Sequence, residues 1–224
     1  MAKLNLSILK NKLLILILSG NNNTERRTVQ QKTWLQDLGD IPHLFLLSGP
    51  NTIKDGHYLY VTSPDQNLPL KLYLGYHYCY KDYDYIFTCD DDTYVVVDRL
   101  LDSGFEDHDY MGTSYTFIKG DRIGRTHAEG GAGFFLSRHA LQKMIPLADY
   151  LWNPIASDTM VGDLAAAAKI PLHHHSEFNQ GWTMEKRPGE LPHPNNTVIT
   201  SHYMNDEQFM ETYKLFHPAN MFLV

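Results

Sequence analysis

Cysteine is scarce in this chain: Cys79 and Cys89 are the only two among 224 residues. They fall in different predicted elements, so the sequence has no disulfide framework of the kind that stabilises small secreted domains. We expect both thiols to be reduced and buried. This favours a cytoplasmic protein, and the alternative is a lumenal domain excised from a larger protein.

Long hydrophobic runs are also missing. The most apolar segment, residues 13–18, is six residues long, whereas a membrane-spanning helix needs roughly 20. Its length predicts a buried β-strand, and we expect no membrane segment in the chain. Residues 1–12 contain three lysines but lead into no convincing signal-peptide cleavage site, so we interpret them as an N-terminal tail.

The sequence has no basic tract, no repeats and no low-complexity linker. Its formal net charge is -7, which argues against nucleic acid as a partner. An anionic ligand such as a sugar phosphate would therefore need a metal bridge. A hydrophobic content of 43% in 224 residues is enough for one buried core, so we expect residues 1–224 to form a single domain.

Apolar segments of strand and helix type alternate along the chain, which is typical of an α/β fold with a mixed, mostly parallel sheet and helices on both faces. The predicted strands are residues 13–18, 43–47, 85–89, 93–97, 110–115, 133–137 and 197–201. The predicted helices are residues 25–38, 67–80, 139–148, 158–169 and 206–216. Ser157 or Asp158 is placed to cap the fourth helix.

Three consecutive carboxylates, Asp90, Asp91 and Asp92, lie between two of these apolar strands. Like charges at adjacent positions repel one another and resist burial, so we predict that a cation neutralises them. Mg²⁺ and Mn²⁺ prefer carboxylate oxygen. The alternative is a solvated acidic turn. Ligands bind at the carboxyl ends of strands in α/β sheets, which favours the functional interpretation.

Residues 90–95, Asp-Asp-Asp-Thr-Tyr-Val, resemble the Asp-x-Asp metal motif of sugar-nucleotide-dependent glycosyltransferases. This form is similar to that of the fringe and β-1,3-glycosyltransferase group, glycosyltransferase family 31. Further blocks resemble that family in the same order, and coincidence becomes improbable when they are taken together. They are residues 26–34, ending in Thr-Trp, 67–71, Asn-Leu-Pro-Leu-Lys, 129–137, with Gly-Gly-Ala-Gly, 157–162, Ser-Asp-Thr-Met-Val-Gly, and 200–204, Thr-Ser-His-Tyr-Met.

The resemblance implies a GT-A fold, a single Rossmann-like catalytic domain, and inverting, metal-dependent transfer in glycan biosynthesis. The donor would be a UDP-sugar, with galactose favoured among hexoses and N-acetylhexosamines. The acceptor would be a carbohydrate hydroxyl on a glycan or glycoconjugate, and the product a β-1,3 linkage. Family members in the Golgi carry a membrane anchor and a stem, and we expect neither in this chain. The resemblance therefore does not extend to the compartment or the acceptor.

Site residues follow from the resemblance position by position. It implies that Asp92 and His202 bind Mn²⁺ or Mg²⁺ directly, with Asp90 beside the metal or the ribose. It also implies that Asp158 is the general base that deprotonates the acceptor. Asp163, on the same predicted helix, is the rival base; it lies about 140° away around the helix, so we expect it to be solvent-exposed. The residues expected to contact the donor nucleotide or its sugar are Arg27, with Arg26 as its alternative, Lys71, Asp90, Asp91 and Gly131.

Two other functions remain open from the sequence. A carbohydrate- or nucleotide-binding module could keep the fold without catalysis, and a metal-dependent hydrolase of sugar nucleotides would release free sugar without an acceptor. The three histidines at 173–175 could attract a metal by composition, but adjacent side chains on an extended segment point alternately, so we interpret them as structural or acceptor-facing.

Overall fold

A computed structural model describes residues 13–150, 156–181 and 191–218. The N-terminal tail, residues 1–12, lies outside the described residues, as do Trp152 and Trp182, for which sequence reasoning favoured packing over sugar stacking. An eight-stranded sheet forms the centre of the described part, and two smaller sheets extend it. Both cysteines are free and buried, as predicted.

The described residues form thirteen strands, six α-helices and three short 3-10 helices. The strands are β1 Leu13–Leu18, β2 His43–Ser48, β3 Ile53–Asp55, β4 Tyr58–Val61, β5 Tyr85–Asp90, β6 Tyr94–Val95, β7 Tyr110–Gly112, β8 Ser114–Thr116, β9 Thr126–Ala128, β10 Phe134–Ser137, β11 His173–His174, β12 Phe178–Asn179 and β13 Thr200–Ser201. The α-helices are α1 Thr24–Lys32, α2 Leu68–Cys79, α3 Val97–Leu101, α4 Arg138–Met144, α5 Ser157–Ala167 and α6 Asp206–Phe216.

The central sheet has the strand order β11-β7-β10-β5-β1-β2-β4-β3. The pairs β1 with β2, β1 with β5, β2 with β4 and β11 with β7 are parallel. Strand β10 runs antiparallel to both of its neighbours, and β3 runs antiparallel to β4. The sheet is therefore mixed and mostly parallel, which confirms the predicted fold class.

Strand β1 shows why both faces of the sheet are covered. All six of its side chains are buried, and they alternate between two separate hydrophobic clusters. Leu14, Leu16 and Leu18 pack with residues of α2, α4 and α5. The odd-numbered residues of the strand pack on the other face with Trp34 and with residues of α3 and α6. A continuous apolar run is what a strand between two helical layers requires.

Several predicted boundaries were wrong. The helix predicted over 25–38 is interrupted at Thr33, where φ is -123° and ψ is -124°, and continues as a 3-10 helix. The strand predicted over 93–97 stops at Val95, because α3 begins at Val97. The strand predicted over 110–115 divides between two sheets at Thr113.

Helix α5 begins one residue earlier than predicted. Its N-cap is Ala156, so neither Ser157 nor Asp158 caps it. The Ala156 backbone N–H instead donates to Thr159 Oγ1 at 3.0 Å, and that hydroxyl donates to the Ala156 carbonyl at 2.9 Å. Asp158 therefore lies inside the first turn, where its carboxylate reaches outside the helix.

The small sheet β12-β13-β6 brings distant parts of the chain to the end of β5. Strand β13 pairs antiparallel with β6, so Ser201 lies opposite Tyr94. The Met204 backbone N–H donates to the Asp92 carbonyl at 3.1 Å, and the His202 N–H donates to the Asn179 carbonyl at 3.1 Å. His202 is thereby held beside the carboxylate triplet.

Within the described residues, no helix is both long and apolar enough to span a membrane.

Candidate active site

Asp90, Asp92 and His202 converge at the carboxyl end of β5. His202 Nε2 lies 3.0 Å from one Asp92 carboxylate oxygen and 3.6 Å from an Asp90 oxygen. One ligand atom from each residue lies within 4.8 Å of the other two, a spacing that could hold one metal ion. The Asp90 side chain is 38% exposed, whereas that of His202 is 6% exposed. The group therefore opens toward solvent on its Asp90 side.

The electrostatics of this group fit a divalent cation. Although the Asp90 side chain is 38% exposed, protein atoms surround its carboxyl on the other sides, and this desolvation, together with the neighbouring carboxylates of Asp92 and Asp91, raises the pKa of Asp90, while His202 opposes the shift. Burial also acts to raise the pKa of Asp92, but the hydrogen bond and charge of His202 and the charge of Arg26 lower it overall. His202 Nε2 faces the carboxylates of Asp92 and Asp90, so it is the nitrogen placed to bind a ligand, and its buried Nδ1 has no hydrogen-bond partner among the residues that the structure describes. Two carboxylates and an imidazole suit Mn²⁺ or Mg²⁺.

Asp91 has a different environment from its neighbours and is buried. One of its carboxylate oxygens accepts hydrogen bonds from Ser19 Oγ at 2.6 Å and from Asn23 Nδ2 at 2.8 Å. The other oxygen faces Arg26 Nη1 at 3.3 Å, and the same nitrogen lies 3.2 Å from Asp92. Asp91 thus fixes the loop after β1 to the end of β5, and the predicted contact of Asp91 with the donor stays a prediction.

Arg27 and Lys71 meet at the loop that follows β1. Arg27 donates to Ser19 Oγ at 2.9 Å and to the carbonyls of Gly20 and Asn21 at 2.6 and 3.0 Å. Lys71 Nζ donates to the Ser19 carbonyl at 3.1 Å and to Asp65 at 2.6 Å. Both side chains are buried. Their nucleotide contacts stay predictions, and the visible contacts show them supporting Ser19 beneath Asp91.

Gly131 lies directly against the face of His202. A Cβ added at this glycine would come 2.0 Å from His202 Cε1, which is far inside van der Waals contact. The adjacent Gly130 lies against Asp158 instead, where an added Cβ would be 3.1 Å from the Asp158 Cβ. The two consecutive glycines therefore separate the candidate metal ligand from the candidate base.

We predict that Gly131→Ala weakens Mn²⁺ binding by at least about 10-fold, because the new methyl group displaces the His202 ring from Asp92. Isothermal titration with Mn²⁺ measures the effect. The control is Gly120→Ala: Gly120 has a φ of +77° and no atom within 4 Å of an added Cβ. That control adds about 1–2 kcal/mol of backbone strain without touching the site. Equal Mn²⁺ affinity in both variants would contradict the prediction.

Two buried threonines hold the glycine loop in place. Thr93 Oγ1 donates to the Gly131 carbonyl at 2.6 Å, and Thr200 Oγ1 donates to the Ala132 carbonyl at 2.6 Å. Thr93 follows the carboxylate triplet, and Thr200 lies in β13 two residues before His202. The glycine loop is thus attached to both segments that supply the metal-binding side chains.

Thr93→Val keeps the shape of the side chain but leaves the Gly131 carbonyl without its hydroxyl partner. We expect a loss of about 1–3 kcal/mol in the free energy of unfolding, measured by urea denaturation, together with weaker Mn²⁺ binding. Thr52→Val, at an exposed position, is the control. Unchanged stability and metal affinity in Thr93→Val would show that this hydrogen bond does not organise the site.

Asp158 lies across the two glycines from His202. Its Oδ2 accepts from the Gly130 backbone N–H at 3.2 Å, and its Oδ1 accepts from the Thr159 N–H at 2.7 Å. His127 Nε2 lies 3.8 Å from Asp158 Oδ2. Burial, with an added contribution from Asp158, raises the pKa of Glu129 to about 7. Ligand atoms of His127, Glu129 and Asp158 all lie within 4.8 Å of one another.

Sequence reasoning placed Asp163 as a solvent-exposed rival of Asp158, and this exposure was wrong. Its carboxylate is bound by Arg122 Nη1 at 2.8 Å and by Arg125 Nη1 at 3.0 Å, and its side chain is 17% exposed. Asp163 therefore binds two arginines of the segment that connects β8 to β9, rather than facing the metal group. The histidines at 173–174 form the edge strand β11, in agreement with their structural interpretation.

Three residues near the site escaped sequence reasoning or were given no definite part. Arg26 was weighed only as an alternative to Arg27, yet it is the arginine whose guanidinium reaches the carboxylates. Glu129 was noted only as the first residue of the glycine block, and His127 had no local signal. A single histidine before a glycine-rich turn matches no sequence motif. Its position beside Asp158 follows only from the packing of α5 on β9.

Solved structures similar to this one include glycosyltransferases and nucleotidyltransferases. A structure of the galactosyltransferase LgtC in complex with donor and acceptor sugar analogs shares 14% sequence identity, with a TM-score of 0.52 over 89% of this chain and 95% of that chain. The inositol-1-phosphate CTP transferase from T. maritima shares 12% identity, with a TM-score of 0.52 over 96% of this chain and 98% of that one.

A third similar structure is the 4-diphosphocytidyl-2C-methyl-D-erythritol synthase from Anaerococcus prevotii DSM 20548. It shares 9% identity, with a TM-score of 0.51 over 92% of this chain and 99% of that chain. No protein-family model matches the sequence. At these identities the likeness shows the fold alone, and the fold is the GT-A type that glycosyltransferases and nucleotidyltransferases share.

Proposed function

We propose that this protein is an inverting, metal-dependent glycosyltransferase similar to the fringe and β-1,3-glycosyltransferase group, and that residues 1–224 form its catalytic domain. Its donor is a UDP-sugar, with UDP-galactose favoured, and its acceptor is a carbohydrate hydroxyl that receives a β-1,3 linkage. One observation carries the proposal. A metal-binding group of Asp90, Asp92 and His202 faces a separate carboxylate, Asp158, across two glycines.

The separation of the two groups matches what inverting transfer requires. In that reaction the acceptor oxygen loses its proton and forms a bond to the anomeric carbon, while the bond from that carbon to the diphosphate oxygen breaks. The electron pair of the broken bond leaves with the nucleoside diphosphate, so negative charge develops on one side of the sugar and a proton departs on the other. One site must stabilise an anion, and the other must accept a proton.

Asp92, His202 and Asp90 would hold the cation on the leaving-group side. A bound Mn²⁺ or Mg²⁺ supplies positive charge that stabilises the departing diphosphate. The pairing of β13 with β6 brings the His202 imidazole to the carboxylates of Asp90 and Asp92, so that the three ligands lie together. Asp91, through Ser19 and Asn23, keeps this end of β5 fixed to the loop after β1.

Asp158 would take the proton of the acceptor hydroxyl. Its carboxylate is held by two backbone N–H groups, from Gly130 and Thr159, which leaves further lone pairs free to accept a proton. Gly130 and Gly131 have no side chains, so the backbone between the two groups is open to a close approach by the donor sugar. We infer that the transferred sugar lies over this pair of glycines.

Product analysis with a panel of sugar nucleotides tests the proposal. UDP-, GDP- and dTDP-sugars are first screened with Mn²⁺ by thermal shift, and those that stabilise the protein are incubated with carbohydrate acceptors. We expect UDP-galactose to give a glycosylated acceptor of inverted anomeric configuration. Free sugar formed equally without acceptor would indicate a hydrolase, and binding without any product would indicate a module without catalysis.

Nucleotidyl transfer is the other reaction found on this fold among the similar structures. It would be recognised by release of pyrophosphate from a nucleoside triphosphate in the presence of a sugar phosphate or a similar phosphate acceptor. Because that reaction brings two anionic substrates together, it calls for cationic side chains around both. The site instead collects carboxylates, and among the described arginines and lysines Arg26 is the one that forms an ion pair with the triplet, which favours glycosyl transfer.

A further inference from the structure

His127 lies behind the candidate base, at a position that the proposed chemistry has not yet used. It is buried in β9, and its ring lies 5.5 Å from the ring of Tyr115 and 5.3 Å from that of Phe117, measured between centroids. Its Nε2 faces Asp158 Oδ2 at 3.8 Å. No other ion pair involves this imidazole within the residues that the structure describes.

The packing of helix α5 fixes the relation between His127 and Asp158. A Cβ added at Gly162 would come 2.5 Å from the His127 Cβ, so the glycine lets the helix backbone lie directly on β9. Asp158 is one turn earlier on the same helix. A helix packed this closely on β9 brings its first turn, which carries Asp158, to within 3.8 Å of the imidazole.

The charges around His127 single out Asp158 as its partner. Burial lowers the pKa of His127, with Asp158 and Asp163 opposing and Arg122 adding to the shift, so the ring is neutral at neutral pH and has one N–H to donate. Asp163 is already bound by two arginines. Within the described residues Asp158 forms no ion pair with an arginine or lysine, and it lies beside a second carboxyl group, that of Glu129.

A base in this position needs to be held. Burial and the Asp158 charge raise the pKa of the neighbouring Glu129, and the Gly130 N–H donates to Asp158 Oδ2 at 3.2 Å, near the long end of the hydrogen-bond range. We propose that His127 is a positioning residue for Asp158: its Nε2, 3.8 Å from Oδ2 in this structure, comes within hydrogen-bond distance and donates to Oδ2 when the acceptor binds, so that the carboxylate faces the acceptor hydroxyl. This inference rests on the proposed function for its catalytic consequence, but the donor group itself is a property of the folded protein.

Three substitutions at His127 separate positioning from packing. His127→Gln places an amide near the position of Nε2, His127→Asn places one near the position of Nδ1, and His127→Phe keeps an aromatic ring without a donor. We expect kcat for sugar transfer to fall about 10- to 100-fold in the Asn and Phe variants, with KM for the donor and Mn²⁺ affinity unchanged. The Gln variant should stay within about 5-fold of the unmodified protein, since it retains the donor.

A second measurement needs no activity. ¹⁵N NMR of the histidine side chains reports which ring nitrogen carries the proton, and we expect the Nε2–H tautomer for His127, with its Nε2 signal shifted in Asp158→Asn. The inference is overturned by an Nδ1–H tautomer, by a His127→Asn variant as active as His127→Gln, or by a second metal ion bound through Nε2. Absence of sugar transfer by the unmodified protein would instead contradict the proposed function and leave the tautomer result to decide the positioning role.

Discussion

Replacing Asp158 with asparagine is expected to lower kcat for sugar transfer by about 10²- to 10⁴-fold, the contribution typical of a general base. The amide keeps the shape of the carboxylate, but it cannot accept the acceptor proton. Because the metal group lies on the far side of Gly130 and Gly131, Mn²⁺ and UDP affinity should be unchanged. Steady-state kinetics, together with titration of UDP in the presence of Mn²⁺, measure both quantities on the same protein.

Asp163→Asn is the matched control, since it removes a carboxylate from the same helix. Asp163 binds Arg122 and Arg125, so its loss should reduce stability while kcat changes by less than about 3-fold. If Asp158→Asn retained transfer and Asp163→Asn lost it, the assignment of the base would be wrong. Loss of UDP binding in Asp158→Asn would show that the residue acts on the donor rather than on the acceptor.

Asp92→Asn is expected to have the larger effect on donor binding. Losing a group that merely orients a metal ligand typically costs 10- to 100-fold in metal affinity. Losing the ligand that also contacts His202 at 3.0 Å should therefore weaken Mn²⁺ binding by at least about 100-fold. UDP affinity in the presence of Mn²⁺ should fall with it, and transfer should become undetectable.

The control for Asp92→Asn is Asp98→Asn, because Asp98 is an exposed carboxylate in α3 that follows the same loop. It changes the net charge by the same amount without touching the metal group. Isothermal titration with Mn²⁺ should give the unmodified affinity for this variant. An Asp92→Asn variant that bound Mn²⁺ as tightly as the Asp98→Asn control would remove Asp92 from the proposed ligand set.

The sequence predicted the parts of the fold that follow from apolar periodicity and length. Residues 13–18 could be identified as a buried strand because six apolar residues are too few to span a membrane and too continuous for an exposed strand. Helix α6 was predicted with its observed bounds from apolar residues at helical spacing, and in the structure its N-cap Asn205 accepts from the Gln208 N–H at 2.9 Å. The break at Thr33 and the start of α3 at Val97 depend on tertiary packing, so no local pattern shows them.

The triplet of carboxylates was visible from the sequence, and the family resemblance gave its members different roles, but the structural reason for their difference was not visible. Asp90, Asp91 and Asp92 differ because β5 ends at Asp90 and the chain turns there, which sends Asp91 into the loop after β1 and Asp92 toward His202. His202 could be proposed only through the resemblance of its block to a family motif, because its approach depends on the pairing of β13 with β6. His127 had neither a motif nor a periodicity to mark it.

The dependence of UDP binding on a divalent cation tests the central claim most directly. The claim is that Asp90, Asp92 and His202 bind a cation through which the protein holds a nucleoside diphosphate. Isothermal titration of UDP is carried out with Mn²⁺ and again with EDTA in its place. We predict binding with Mn²⁺ and at least about 100-fold weaker binding without it. Equal affinity in the two titrations, or no binding in either, would contradict the account.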